Sequence, residues 1–225
     1  MRKNFIINKV NPNRFNFAVT NFFVPSLMLF VFTCFFVNAT PQKVIAVASI
    51  ELGNPTAKLV FKKESVRDVV TQSLYQQKHF KVIDWARLSS VLFRRNLEWS
   101  DVSNDDKARG ELQEILLNDY FLTGSLSNFS ERIEYGGGGF SKNKTQIANA
   151  QMDLFIKDAI TNEVIAAARG LSEKKQKVKQ SLGFGSGAGA NLALAQQTLN
   201  IAVTNAVKDL VEQMQQKNKQ AGKNK

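Results

Sequence analysis

From Ile147 to Lys157 the side chains alternate: Ala148, Ala150, Met152, Leu154 and Ile156 fall on one face, and Gln151, Asp153 and Lys157 on the other. A period of two marks a half-buried β-strand, because successive Cβ atoms point to opposite sides of the sheet. The apolar face needs a cover, and the chain supplies one. From Asn191 to Gln215, Leu192, Ala195, Leu199, Ala202, Val203, Ala206, Leu210 and Met214 form one helical stripe, with Gln196, Asn200, Lys208 and Glu212 off it. A long helix laid over a sheet is therefore the expected centre of the fold.

The remaining segments extend that plan. Lys43–Ile50 and Phe80–Asp84 read as short buried strands rich in β-branched residues. Glu51 to Pro55 carries turn residues. Glu64–Gln77 places Val66, Val69, Val70 and Leu74 at helical spacing, and Trp85–Leu97 does the same with Leu88, Val91 and Leu92. Trp99–Asp106 is a polar loop whose Ser103 or Asn104 is placed to cap a helix over Asp106–Leu117. Tyr120–Phe129 is a third strand. Thr161-Asn162 turns residues 147–169 into a hairpin. The predicted order is β-α-β-α-α-β-β-β-α, an α/β domain with a mixed sheet flanked by helices.

Residues 1–39 read as an export signal. Arg2, Lys3, Lys9 and Arg14 precede an uncharged run from Phe22 to Val37, and no acid is present. Sixteen apolar residues are short of the roughly 20 that a membrane helix needs, but suit the core of a signal peptide. Val37-Asn38-Ala39 predicts cleavage after Ala39, leaving Thr40 first. Two alternatives stay open. Including Phe15–Thr20 makes an uncleaved anchor, and Val31-Phe32-Thr33 before Cys34 forms a loose lipidation signal. The domain is then expected over 40–216, with the lysine-rich residues 217–225 as a disordered tail.

This reading limits the chemistry. Cys34 is the only cysteine and lies in the leader, so the mature chain has no thiol for a disulfide, a nucleophile or a metal site. His79 is the only histidine, which argues against a zinc enzyme or a Ser-His triad. The formal charge is +11, and 26 bases against 19 acids remain beyond the leader. No catalytic residue, metal or cofactor is expected, and export disfavours nucleic acid as a partner.

At this point the chain resembles the CsgG family, the curli production and secretion components of bacterial envelopes. The segments that carry the likeness are KVIAVASI, FKVIDWARLSSVLFRRNL, DYFLTGSLSNFS and MDLFIKDAITNEVIAAARG, which stand in the family's order over about residues 43–210. The resemblance implies a periplasmic α/β domain, often anchored by lipid to the outer membrane. In the curli channel, identical subunits form a ring and each adds two hairpins to a shared barrel. It also implies protein partners in the envelope, homo-oligomerisation, outer-membrane contact and no enzymatic activity. The alternative is a soluble periplasmic protein similar to the lipoprotein activators of peptidoglycan synthases.

The two segments that would form barrel hairpins, about Ser127–Ala150 and Ala168–Asn191, are polar. Ser130–Ile147 offers only Ile133, Tyr135 and Phe140 as lipid-facing groups, against the alternating band a membrane strand of about 9–11 residues needs. Tyr135, Gly136, Gly137, Gly138, Gly139, Phe140 and Phe184 are the candidate partner or membrane contacts, being aromatics beside glycine-rich stretches. Gly183–Ala188 fits a loose dinucleotide fingerprint but lacks a preceding buried strand and a later acid. The lysines at 174, 175, 177 and 179 suit an anionic surface or a solvated loop. Glu111 and Glu114 read as solvent-facing helix charge, and Ser125 lacks both a nucleophile elbow and a base.

Overall fold

The structure, a computed structural model, describes residues 42–136, 143–178 and 191–223. The predicted leader with Cys34, the Ala39–Thr40 cleavage point, Gly137, Gly138, Gly139, Phe140 and Phe184 lie outside them.

Eleven elements follow one another among the described residues: β1 (Val44–Leu52), α1 (Pro55–Val60), α2 (Lys63–Gln77), β2 (Lys81–Ile83), α3 (Trp85–Arg95), α4 (Trp99–Asn104), α5 (Asp106–Leu116), β3 (Tyr120–Gly136), β4 (Asn143–Asp158), β5 (Val164–Val178) and α6 (Leu192–Lys223). The predicted order holds, with two short helices added. Asn54-Pro55 starts α1 where a turn was expected. The Asn54 side chain accepts from the Ala57 N–H at 2.7 Å, and Pro55 supplies the fixed φ of a first helical residue. In the expected loop, the Asp101 carboxylate accepts from the Glu98 N–H at 2.7 Å and starts α4. Neither Ser103 nor Asn104 caps α5; Asp105 does, accepting from Lys107 N–H at 2.9 Å.

The sheet order is β2-β1-β3-β4-β5. β1 runs parallel to both neighbours, whereas β3, β4 and β5 form an antiparallel meander. Each side of the sheet has its own core. Under α1, α2 and α6 lie Ile45, Val47, Leu122, Leu126, Met152, Leu154 and Ile156; under α3, α4 and α5 lie Ala46, Ala48, Ile83 and Phe121. Two bulges keep the first face apolar. An extra residue in β1 between Val47 and Ile50, and one in β3 between Leu126 and Asn128, return Ile50 and Phe129 to the α6 side.

α6 covers β4 and β5 as the apolar stripe predicts, but the stripe begins at Leu194, and Leu192 is mostly exposed. The helix also continues past Gln215 through residues 217–223, the stretch that sequence alone reads as disordered tail. It approaches the backbone of β5 closely at Gly170. A Cβ there would overlap the Ala202 carbonyl oxygen and stand 2.6 Å from the Ala206 nitrogen. On the other side, buried Arg109 (3% exposed) donates to the Ile160 carbonyl at 3.0 Å and the Val102 carbonyl at 3.3 Å. It thereby ties α5 to the β4–β5 turn. That turn is set by the Asp158 carboxylate, which accepts from Ile160 and Thr161, and by Asn162 at φ 60°.

Two stability predictions follow from these contacts. Gly170→Ala forces α6 off β5 and lowers the unfolding free energy by about 1–3 kcal/mol in urea denaturation. Gly110→Ala, in the interior of α5 with open space around it, raises stability by about 0.5–1 kcal/mol in the same assay. Asp153 gives a pH signature. Burial pushes its carboxyl pKa up, but the Ser127 hydroxyl, the Arg169 guanidinium and the Gln151 amide outweigh this and hold it below the usual range. A depressed folded pKa contributes stability above the unfolded pKa and loses it as pH falls through the folded one. The deficit of Asp153→Asn against the wild type is therefore largest at neutral pH and shrinks below about pH 4, in thermal melts across pH.

Candidate functional site: a projecting meander and its half-guarded edge

β3, β4 and β5 are 17, 16 and 15 residues long, but β1 accompanies β3 only from Tyr120 to Leu126. Beyond that point the three strands run on as an arm, with residues 128–136 paired to 143–151 and 144–151 to 171–178. Nine residues of strand reach about 30 Å. The residue pattern marks β3 only to Phe129, β4 only from Ile147 and β5 only to Arg169, because their outer parts lack the apolar alternation of the base. Beyond those points the resemblance alone implied hairpins, over about Ser127–Ala150 and Ala168–Asn191. Cross-strand pairing, rather than burial, carries them further.

The arm's root is anchored on α1. Asn54 Nδ2 donates to the Phe129 carbonyl at 2.9 Å and to Asn128 Oδ1 at 3.1 Å, and the Phe61 and Phe129 rings meet edge-on at 4.9 Å. Further out, one face bears a ladder of exposed charges. Arg132 meets Glu134 at 3.2 Å and Glu173 at 3.8 Å, and Glu173 meets Lys175 at 3.1 Å. Exposed pairs of this kind contribute at most about 1 kcal/mol each, so they favour register more than stability. The opposite face holds Glu131, Ile133, Tyr135, Gln146, Lys174 and Gln176 in alternation with it. Among the described residues, neither face carries the continuous apolar band that lipid requires.

The two sheet edges differ. β2 is only three residues long. β5 is a long edge, and α6 guards its inner half with side chains: Asn205 donates to the Leu171 carbonyl at 3.0 Å, Gln213 to the Ala167 carbonyl at 2.9 Å, and Lys217 to the Ile165 carbonyl. These carbonyls belong to odd-numbered residues, so odd-numbered amides point off the edge. The register to β4 is unbroken from Ala166 to Val178, so the same holds for Glu173, Lys175 and Lys177. No described α6 side chain caps those three, and among the described residues their amides form an open pairing edge. Lys175 and Lys177 place positive charge along it.

Among the described residues the back of the meander is also open. α3 and α5 cover β1, β2 and the start of β3, and no described helix lies above Ser125, Asp153, Phe155, Arg169 and Leu171. Phe155 is 36% and Leu171 60% exposed, and Arg169 meets Asp153 at 2.6 Å. Ser125 faces Asp153 across the ladder. Of the predicted contact residues inside the described range, Tyr135 is 72% exposed at the far end of β3, next to Gly136. Glu111 and Glu114 face solvent on α5, as expected. His79 packs edge-on to Phe80 at 4.6 Å, and burial lowers its pKa. No cluster of three metal-ligating side chains occurs among the described residues, and none of their helices is long and apolar enough to cross a membrane. Sequence reasoning missed the guarded edge entirely. Asn205, Gln213 and Lys217 are ordinary polar positions on a helix until the fold sets them over β5.

The chain was compared with known proteins. A protein of Neisseria meningitidis serogroup B, named as lipoprotein NMB1126/NMB1164, is 29% identical over 127 residues. That stretch covers 55% of this chain and 56% of that protein, so the chain spans about half the length of this relative. Among solved structures, the PelC dodecamer from Paraburkholderia phytofirmans aligns at TM-score 0.40 with 12% identity, over 75% of this chain and 86% of that one. The C-terminal domain of LpoB from Escherichia coli aligns at TM-score 0.40 with 14% identity, over 58% and 82%. The family model described as "Curli production assembly/transport component CsgG" matches residues 36–224, nearly the whole domain, and the chain belongs to that family.

Proposed function

We propose that this chain is an exported, non-enzymatic component of the cell envelope that acts in assembly or secretion by associating with further copies of itself through the outer edge of β5 and the open back of the meander. The observation that carries the reading is the half-guarded edge. Side chains of α6 cap the inner carbonyls of β5, and among the described residues the amides of Glu173, Lys175 and Lys177 meet no partner. An unprotected strand edge of that length is a template for another strand, and soluble proteins ordinarily blunt such edges. Membership of the CsgG family and the leader-like residues 1–39 support the envelope setting. We assign the chain no reaction and no cofactor.

A second reading has an observation of its own. The described part of the arm has no lipid-facing band, which favours a water-soluble envelope domain that binds a different protein, such as an activator of peptidoglycan synthesis. Oligomeric state separates the two readings.

Light scattering on the mature protein, with and without detergent, is expected to give a closed assembly of many subunits. Lys175→Pro removes an amide that points off the edge and leaves the ladder to β4 intact. It is expected to shift the protein toward monomer while its far-UV circular dichroism stays unchanged. A wild-type monomer in both conditions refutes self-association and leaves the single-partner reading.

A further inference from the structure

A cavity of about 470 Å³ opens at the root of the arm, between α1, β3, β4 and the start of α6. That volume lies in the range of small-ligand pockets. Its walls combine the aliphatic Leu59, Val60, Ile133, Ile147 and Leu194, Leu59 standing almost wholly exposed, with the polar Thr56, Glu131, Arg132, Gln146 and Asn191. One polar group on the wall has no partner among the described residues. Glu131 Oε1 is shielded from water and has no hydrogen-bond partner among the described residues.

The nearby polar side chains do not serve it. Asn191 is committed elsewhere: its Oδ1 accepts from the Leu194 N–H at 3.1 Å, and its Nδ2 donates to Gln146 Oε1 at 3.0 Å and Gln176 Oε1 at 2.7 Å. Arg132, the adjacent cation in sequence, turns to Glu134 and Glu173. Burial alone pushes the Glu131 carboxyl pKa up, and no described charge offsets it. An unpaired buried carboxylate oxygen is among the costlier features a fold can hold, and the described residues offer no compensation.

We propose that this cavity binds a primary ammonium group carried on an aliphatic stem, with Glu131 as its counter-ion and Leu59, Val60, Ile133 and Leu194 around the stem. A charge-assisted N–H···O bond is about twice as strong as a neutral one, so an ammonium satisfies the orphan oxygen better than water or a hydroxyl does. An anionic ligand would meet the Glu131 carboxylate and is disfavoured by it, the Arg132 guanidinium on the same wall being engaged by Glu134 and Glu173. The stem belongs either to a free alkylamine or to a lysine side chain of a partner polypeptide, and both present the same chemistry to the site. The site is separate from the β5 edge and stands whether or not the chain self-associates.

The test is titration of the purified full chain with hexylammonium chloride, Nα-acetyl-lysine methylamide, hexanol and sodium hexanoate, followed by calorimetry and by methyl NMR of Leu59, Ile133 and Leu194. Saturable binding of an ammonium probe, about ten-fold or more tighter than hexanoate, is expected. Hexylammonium binding without the lysine amide identifies a free amine as the ligand, and the reverse identifies a partner's lysine. Glu131→Gln keeps the shape of the side chain and removes its charge. It is expected to weaken ammonium binding about ten-fold, leave hexanol binding as it was, and melt no lower than the wild type. Equal binding of hexanoate by the wild type, no saturable binding of either ammonium probe, or ammonium affinity unchanged by Glu131→Gln overturns the assignment.

Discussion

The contact on which the rest of this structure depends is the seat of α6 on the backbone of β5 at Gly170. Helix and strand approach so closely there that no side chain fits between the strand and the carbonyl of Ala202. That approach lets Ala195, Leu199, Ala202, Val203 and Ala206 sink fully into the face formed by Met152, Leu154 and Ile156. It also sets how far out along the edge the flank of α6 can reach. Asn205 meets Leu171, Gln213 meets Ala167 and Lys217 meets Ile165, one after another down the strand. The same seat therefore builds the core and decides which part of the sheet edge is closed.

The molecule divides into a body and an arm on energetic grounds. In the body, parallel β1 and β2 lie between two helical layers, and burial of aliphatic side chains holds them. In the arm, Phe129, Ala148 and Ala150 still pack into the helix-covered core near the root. Further out, order rests on ladder hydrogen bonds, the Arg132–Glu173 pair between strands and the Asn191 amide on Gln146 and Gln176. An arm with little buried surface costs little to rearrange on meeting another chain. The two features that invite a partner, the open β5 edge and the Glu131 cavity, both lie at or beyond the point where the core ends.

How much was legible in the sequence depended on what each residue's role was tied to. The β4 alternation and the α6 stripe were readable because burial repeats with the period of the element. The family was readable because several such patterns stand in order. α1 and α4 were missed because each spans six residues, and their signals, Asn54-Pro55 and the Glu98–Asp101 pair, also occur in turns and loops. The outer strands carry no such pattern, because Ser130–Gly136 and Leu171–Val178 are ordered by backbone pairing to neighbouring strands rather than by an apolar face. Tyr135, a candidate contact beside a glycine run, lies exposed at the far end of β3, whereas Arg109, buried as a strut beneath the β4–β5 turn, looked like any helix surface residue.

By itself the sequence determined the class of the fold and the order of its elements, and it carried the resemblance to its family. The first two follow from composition and short-range periodicity and the third from the ordered segments that match, all of which a linear chain carries in full. Only the tertiary structure decided where β1 stops beside β3, which carbonyls of β5 α6 closes, and that Glu131 is left without a partner beside an aliphatic cavity. Those features depend on groups dozens of residues apart meeting within about 3 Å, and hydrogen-bond satisfaction at that range leaves no periodic trace along the chain.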